Sequence, residues 1–188
     1  MGTEKALSPA VFLDRDGVLN VEGDHVFRPT DFEWIAGAPA AVKWLNDHGY
    51  LAIVVTNQAG IGRGLYTEVE FLEFTRWINE QLGRVGAHID ATYYCPHHPT
   101  EAVGPYRVAC ECRKPAAGLL RRALTERGVD AARSLMIGDS TSDLLAAEAA
   151  GIRAVLFPGG NLLVFVMQVV PLANPGLSEP LLSREGEP

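Results

Sequence analysis

Short apolar runs alternate along this chain with longer amphipathic stretches. Val11-Phe12-Leu13 and Leu51-Ala52-Ile53-Val54-Val55 are apolar throughout, and residues 91–94, 134–137 and 154–157 are nearly so. Runs this short, bounded by polar or turn residues, read as strands buried on both faces. Between them the apolar positions recur at helical spacing. Residues 39–48 open on Pro39, which suits a first helical turn, and stop at Gly49. Thr67-Glu68-Val69-Glu70 is a capping box, and it starts a helix carrying Val69, Phe71, Leu72, Phe74, Trp77, Ile78 and Leu82. Residues 116–127 form a helix stopped by Gly128, and the Ala-rich residues 142–150 form one stopped by Gly151. The alternation predicts an α/β fold: a doubly wound, mainly parallel, Rossmann-like sheet with helices on both faces. Residues 17–37 and 95–112 read as loops, and no segment is long enough for a large cap domain. Residues 8–172 read as one domain and residues 173–188, rich in Pro, Gly and Glu, as a disordered tail.

In an open parallel sheet, ligands bind beyond the carboxyl ends of the strands. Asp14, Thr56 and Asp139 each stand at such an end, so three separate stretches put polar groups on one rim. Asp14 and Asp16 are two apart, a spacing that lets both carboxylates face one phosphate or one metal ion. A polar turn after a strand gives the same Asp-x-Asp-Gly string; agreement among the three strand ends favours a shared site.

The 188 residues carry a formal charge of −7, with 47% apolar and 21% charged residues. That is an ordinary globular composition, and its acidity argues against nonspecific nucleic-acid binding. Positive charge for an anionic substrate must therefore be local. Residues 1–10 hold no apolar signal core, and the longest apolar stretch, 162–170, contains Gln168 and is too short to span a bilayer. No membrane partner is expected. Three cysteines cannot all pair, and Cys110-x-Cys112 points to a reducing compartment, the cytoplasm, and to a metal. Cys95, His97, Cys110 and Cys112 flank one loop with three thiols and an imidazole, a set that can close a zinc tetrahedron. Small buried hydrophobes are the alternative fate of the cysteines. Spacing alone does not separate His97 from His98.

These motifs resemble the haloacid dehalogenase superfamily of phosphotransferases. Asp14-Arg15-Asp16-Gly17 is similar to its first motif, Thr56 to its second, Lys114 within Arg113-Lys114-Pro115 to its third, and Gly138-Asp139-Ser140-Thr141-Ser142-Asp143 to its fourth. All four occur in order over residues 10–160. Thr56-Asn57-Gln58-Ala59-Gly60-Ile61-Gly62-Arg63-Gly64, Tyr94-Cys95-Pro96-His97-His98-Pro99 and Cys110-x-Cys112-Arg113-Lys114-Pro115 narrow the likeness to the heptose bisphosphate phosphatases. Histidinol-phosphate phosphatases share the Cys/His loop but not an arginine at the place of Arg63.

The resemblance implies an Mg²⁺-dependent phosphatase with the following residue roles. Asp14 is the nucleophile, Asp16 the acid and base, and Thr56 and Lys114 hold the phosphate. Mg²⁺ is bound by Asp14, Asp139 and the backbone carbonyl of Asp16. The resemblance picks His97 as the zinc ligand beside Cys95, Cys110 and Cys112, in a structural site. Glu22, Gly23, Asp24, His25, Asn57, Gln58, Arg63 and Arg113 face a small phosphorylated sugar, with Arg63 and Arg113 on a distal phosphate. Asp143 braces the fourth motif rather than touching metal, and the protein acts as a monomer. Two other readings stay open: a different small-molecule phosphatase such as one for histidinol phosphate, and a zinc-stabilised binding protein without catalysis. The sequence departs from the family at Ser140, where lysine is common, and from Phe157 onward, where the family's last strand and helix are not recognisable.

Overall fold

The computed structural model describes residues 6–171, so the tail expected at 173–188 lies outside the described residues. The elements run β1 (Ala10–Leu13), α1 (Ala38–Asp47), β2 (Leu51–Asn57), α2 (Ala59–Gly62), α3 (Glu68–Gly83), β3 (Ala91–Cys95), α4 (Gly118–Arg127), β4 (Leu135–Gly138), α5 (Thr141–Ala149), β5 (Arg153–Leu156) and α6 (Leu162–Val169). The five strands form one sheet in the order β3-β2-β1-β4-β5, and every pairing is parallel.

Successive side chains on a strand point to opposite faces, so β1, β2 and β4 serve two cores. β5, at the sheet edge, is only half-buried and its Leu156 is exposed, unlike the strand buried on both faces that its apolar sequence predicted. Val11 and Leu13 of β1 join Val54, Leu135 and Ile137 beneath α1, α3 and α6. Ala10 and Phe12 join Ile53, Val55 and Met136 beneath α4 and α5. This is the three-layer arrangement that uninterrupted apolar strands require. A smaller cluster of Ile61, Tyr66 and Phe71 supports the segment after β2.

Three further details differ from the sequence reading. β2 runs two residues beyond Val55, because Thr56 and Asn57 continue the ladder opposite Tyr94 and Cys95. On α3 the capping box forms, with Thr67 Oγ1 accepting from the Glu70 N–H, and Phe71, Phe74, Ile78 and Leu82 are buried. Val69 and Leu72, counted among its apolar positions, instead lie exposed on the opposite face. Last, the apolar stretch after Phe157 is a helix. Asn161 caps α6 by accepting from the Val164 N–H at 3.2 Å, and Leu162 and Val166 pack into the α1 face of the core. No helix among the described residues is long and apolar enough to cross a membrane.

Candidate active site

The carboxyl ends of β1, β2 and β4 open onto a cleft of about 320 Å³. Every residue expected at the phosphate or the sugar lines it: Asp14, Asp16, Thr56, Lys114 and Asp139, then Glu22, Gly23, Asp24, His25, Asn57, Gln58, Arg63 and Arg113. A larger hollow of about 610 Å³ follows the free edge of β3, between Tyr93, Tyr94, Arg122 and Glu126, and none of the four motifs reaches it apart from the flank at Cys112.

Asp14 ends β1, where its backbone N–H still donates to Ile137 of β4 at 3.1 Å. Its side chain meets Lys114, whose Nζ lies 2.8 Å from Oδ2. Lys114 is 3% exposed. Its Nζ donates to the Val55 carbonyl at 2.8 Å and forms ion pairs with Asp14 and, at 2.5 Å, with Asp143 Oδ1. Burial alone lowers a lysine pKa, but the two carboxylates more than reverse this, so Lys114 stays charged. Burial pushes Asp14 up to about 6; Lys114 opposes that rise, and the nearby Asp143 adds to it. The backbone of Lys114 is fixed as well. Asn57 Oδ1 accepts from its N–H at 3.0 Å, and Asn57 Nδ2 donates to its carbonyl at 3.1 Å. The Lys114–Pro115 peptide is cis.

Gly17 holds φ of +79°, and a side chain there would run into the Asp139 carboxylate. The glycine of the first motif thus leaves room for the acid of the fourth. Asp143 is fully buried. Its Oδ2 accepts from the Ser140 N–H at 3.1 Å and the Ser140 hydroxyl at 2.7 Å, closing the capping box of α5. It also pairs with Lys114, a second role that its position in the motif did not announce.

The residues fit a hard divalent ion. Asp14, Asp139 and Asp143 each offer an oxygen, and the three atoms lie within 4.8 Å of one another. Asp143 is fully buried and held by both Lys114 and Ser140, whereas Asp14, paired with Lys114 through Oδ2, and Asp139 both line the cleft. Burial, then the Asp143 charge, raise the pKa of Asp139, and the Lys114 charge opposes the rise.

A second cluster lies beside the cleft. Cys95, His97, Cys110 and Cys112 bring one ligand atom each within 4.8 Å of one another. Cys112 Sγ is 3.1 Å from Cys95 Sγ and 3.0 Å from Cys110 Sγ, and His97 Nδ1 is 3.3 Å from Cys112 Sγ. A soft S₃N set of that size fits a tetrahedral zinc. His98 turns away, its Nδ1 accepting from the Glu101 N–H at 3.0 Å. Arg113 follows this cluster directly and donates to the His97 carbonyl at 3.3 Å. Arg63, across the cleft, pairs with Glu101 and lies 3.3 Å from His25 Nε2.

Sequence reasoning passed over Arg15 and Tyr66. Tyr66 donates to Gln58 Oε1 at 2.6 Å, which turns the amide so that Nε2 reaches Asp16 Oδ2 at 3.0 Å and Thr56 Oγ1 at 2.8 Å. Neither residue carries a spacing signal, because their partners are distant in sequence or depend on a side-chain turn.

A parallel sheet with an Asp-Lys pair at one strand end and a carboxylate pair beside it defines a hydrolase of the haloacid dehalogenase type. Residues 111–163 match the HAD-hydrolase-like family. The solved structure of a putative HAD-like phosphatase from Mesorhizobium loti superposes with a TM-score of 0.77 at 32% identity, covering 85% of this chain and 78% of that one. The D,D-heptose 1,7-bisphosphate phosphatase of B. bronchiseptica, solved with magnesium and phosphate, gives 0.73 at 31% identity, covering 87% and 88%. The D-glycero-β-D-manno-heptose-1,7-bisphosphate 7-phosphatase of Haemophilus ducreyi is 47% identical over 77% of this chain and 79% of its own length. The chain belongs to this family of phosphatases.

Proposed function

We propose that the protein is an Mg²⁺-dependent phosphatase that removes the 7-phosphate of D-glycero-β-D-manno-heptose 1,7-bisphosphate through an aspartyl phosphate. The observation that carries the reading is the pairing of Asp14, at the end of β1, with the buried Lys114, in one cleft with Asp16, Arg63 and Arg113. Asp14 attacks phosphorus as the bond to the sugar oxygen breaks, and Asp16 gives that oxygen its proton. Asp16 then takes a proton from the water that attacks the aspartyl phosphate, which frees inorganic phosphate and restores Asp14. Lys114 and Thr56 bind the non-bridging oxygens, where charge develops. Mg²⁺, held by Asp14, Asp139 and the Asp16 carbonyl, supplies positive charge against the phosphate. Zinc on Cys95, His97, Cys110 and Cys112 is structural, since four protein ligands leave no open position.

Arg63 and Arg113 read the second phosphate, and the segment at Glu22, Gly23, Asp24 and His25 with Asn57 and Gln58 faces the sugar. Residues 8–172 act as one catalytic domain, as a monomer in the cytoplasm, where free thiols persist. Phosphate release should be measured with Mg²⁺ on the heptose bisphosphate, its monophosphates and histidinol phosphate. The bisphosphate is expected to give the highest kcat/KM; preference for histidinol phosphate would overturn the substrate, and no release from any ester would overturn the enzyme.

A further inference from the structure

Arg15 stands between the two catalytic aspartates and is 3% exposed. An arginine side chain is seldom buried unless it is paired. This one turns back beneath Asp16: Nη2 donates to Oδ1 and Oδ2, both at 2.9 Å, and Nε donates to Oδ1 at 3.2 Å. The same Nη2 donates to the Val26 carbonyl at 2.7 Å. Val26 is buried and directly follows Gly23-Asp24-His25, which line the cleft. The guanidinium also lies 5.5 Å from the centre of the Phe74 ring and 5.8 Å from that of Phe71, both on α3. Its Nη1 is buried without a hydrogen-bond partner. Asn20 Nδ2 and Gln58 Nε2 complete the grip on Asp16, each at 3.0 Å.

A carboxylate on a free loop samples several rotamers, and a proton passes well only within hydrogen-bond reach of the leaving oxygen. Here a rigid, aromatic-backed fork holds both oxygens. We infer that Arg15 is a positioning residue: it sets the orientation of Asp16 for proton transfer and ties that acid to the loop carrying Glu22, Gly23, Asp24 and His25. The inference rests on the role of Asp16 proposed above. Nothing else fills the place of the guanidinium, because Asn20 and Gln58 each reach one oxygen only.

The test uses two substrates, the sugar bisphosphate, whose alkoxide leaving group needs a proton, and 4-nitrophenyl phosphate, whose phenolate needs little. Arg15→Met removes the fork and keeps the stem; Arg15→Lys keeps a cation that reaches fewer acceptors. In Arg15→Met, kcat/KM, which reports formation of the aspartyl phosphate and not its hydrolysis, is expected to fall roughly thirtyfold for the bisphosphate and less than about threefold for the aryl ester, with Arg15→Lys between. Added to Asp16→Ala, Arg15→Met should cost little more, since both act through one carboxylate. Equal losses in kcat/KM on both substrates, or losses that multiply in the double variant, would overturn the inference and leave Arg15 as a core residue. If Arg15→Met does not fold, the substrate ratio of Arg15→Lys decides: a ratio equal to wild type refutes the role. If Asp16→Ala itself shows no dependence on the leaving group, the assignment of Asp16 fails, and this result is distinct from failure of the Arg15 role.

Discussion

Asp14 is asked to be a nucleophile and a cation ligand with one carboxylate. Asp14→Asn is expected to lower phosphate release at least about a hundredfold, because an amide forms no acyl phosphate. The fold should survive, since Lys114 keeps its ion pair with Asp143; thermal melts beside the phosphate assay check both halves. The elevated pKa of Asp14 adds a pH dependence. Burial lifts it to about 6, so in the metal-free protein the group is protonated below that value and ionised above it. A cation competes with that proton. Mg²⁺ affinity is therefore expected to fall as pH drops through about 6, approaching roughly tenfold per unit, and to level off above about 7. The fold binds this proton more tightly than the unfolded chain does, so the metal-free protein gains stability from the group as pH falls from about 6 to about 4. Calorimetric titration of Mg²⁺ across that range checks the first, and denaturation across it the second. Among single residues, the carboxylates, the lysine and the cysteines of the motifs were readable from their own chemistry. Arg15 and Tyr66 were not, because their meaning lies in Val26, Phe74 and Gln58, partners that only the folded chain supplies.

Elements were legible where burial acts on both faces. Strands such as β2 must be apolar throughout to fill two cores, and their sequence says so. α6 was hidden for the opposite reason: its eight residues are nearly all apolar, so they show no helical period, and what makes them a helix is the Asn161 cap and the packing of Leu162 and Val166 beside α1. Exposed Val69 and Leu72 misled by composition; periodicity places them off the buried face of α3. The Cys/His cluster acts at this scale too. Cys112 is two residues before Lys114, and Arg113 between them is tied to His97. A Cys110→Ser/Cys112→Ser variant is expected to lose its zinc by elemental analysis and to lose about tenfold to a hundredfold in kcat, as the loop no longer fixes the lysine's backbone. Zinc retained at one equivalent in that variant would refute the ligand set.

At the scale of the whole molecule, a chain of net charge −7 must attract an anion through a local basic rim. Arg63 and Arg113 enter the cleft from opposite loops, one after β2 and one before α4. Arg63→Ala and Arg113→Ala are each expected to cut kcat/KM for the bisphosphate by about tenfold to a hundredfold, and that for a monophosphate distinctly less. Comparable losses on both esters would remove them from the distal phosphate.

The strand order β3-β2-β1-β4-β5 means that pairings β2–β3 and β1–β4 both join the first half of the chain to the second. Asp14, Asp16 and Thr56 come from one half, Lys114 and Asp139 from the other. A polypeptide divided in the turn at Gly86 would therefore yield two inert pieces, neither owning a working centre. Mixed together, they are expected to regain phosphatase activity only as far as the sheet reassembles, so the recovered rate should climb with fragment concentration and report on complementation between the two halves.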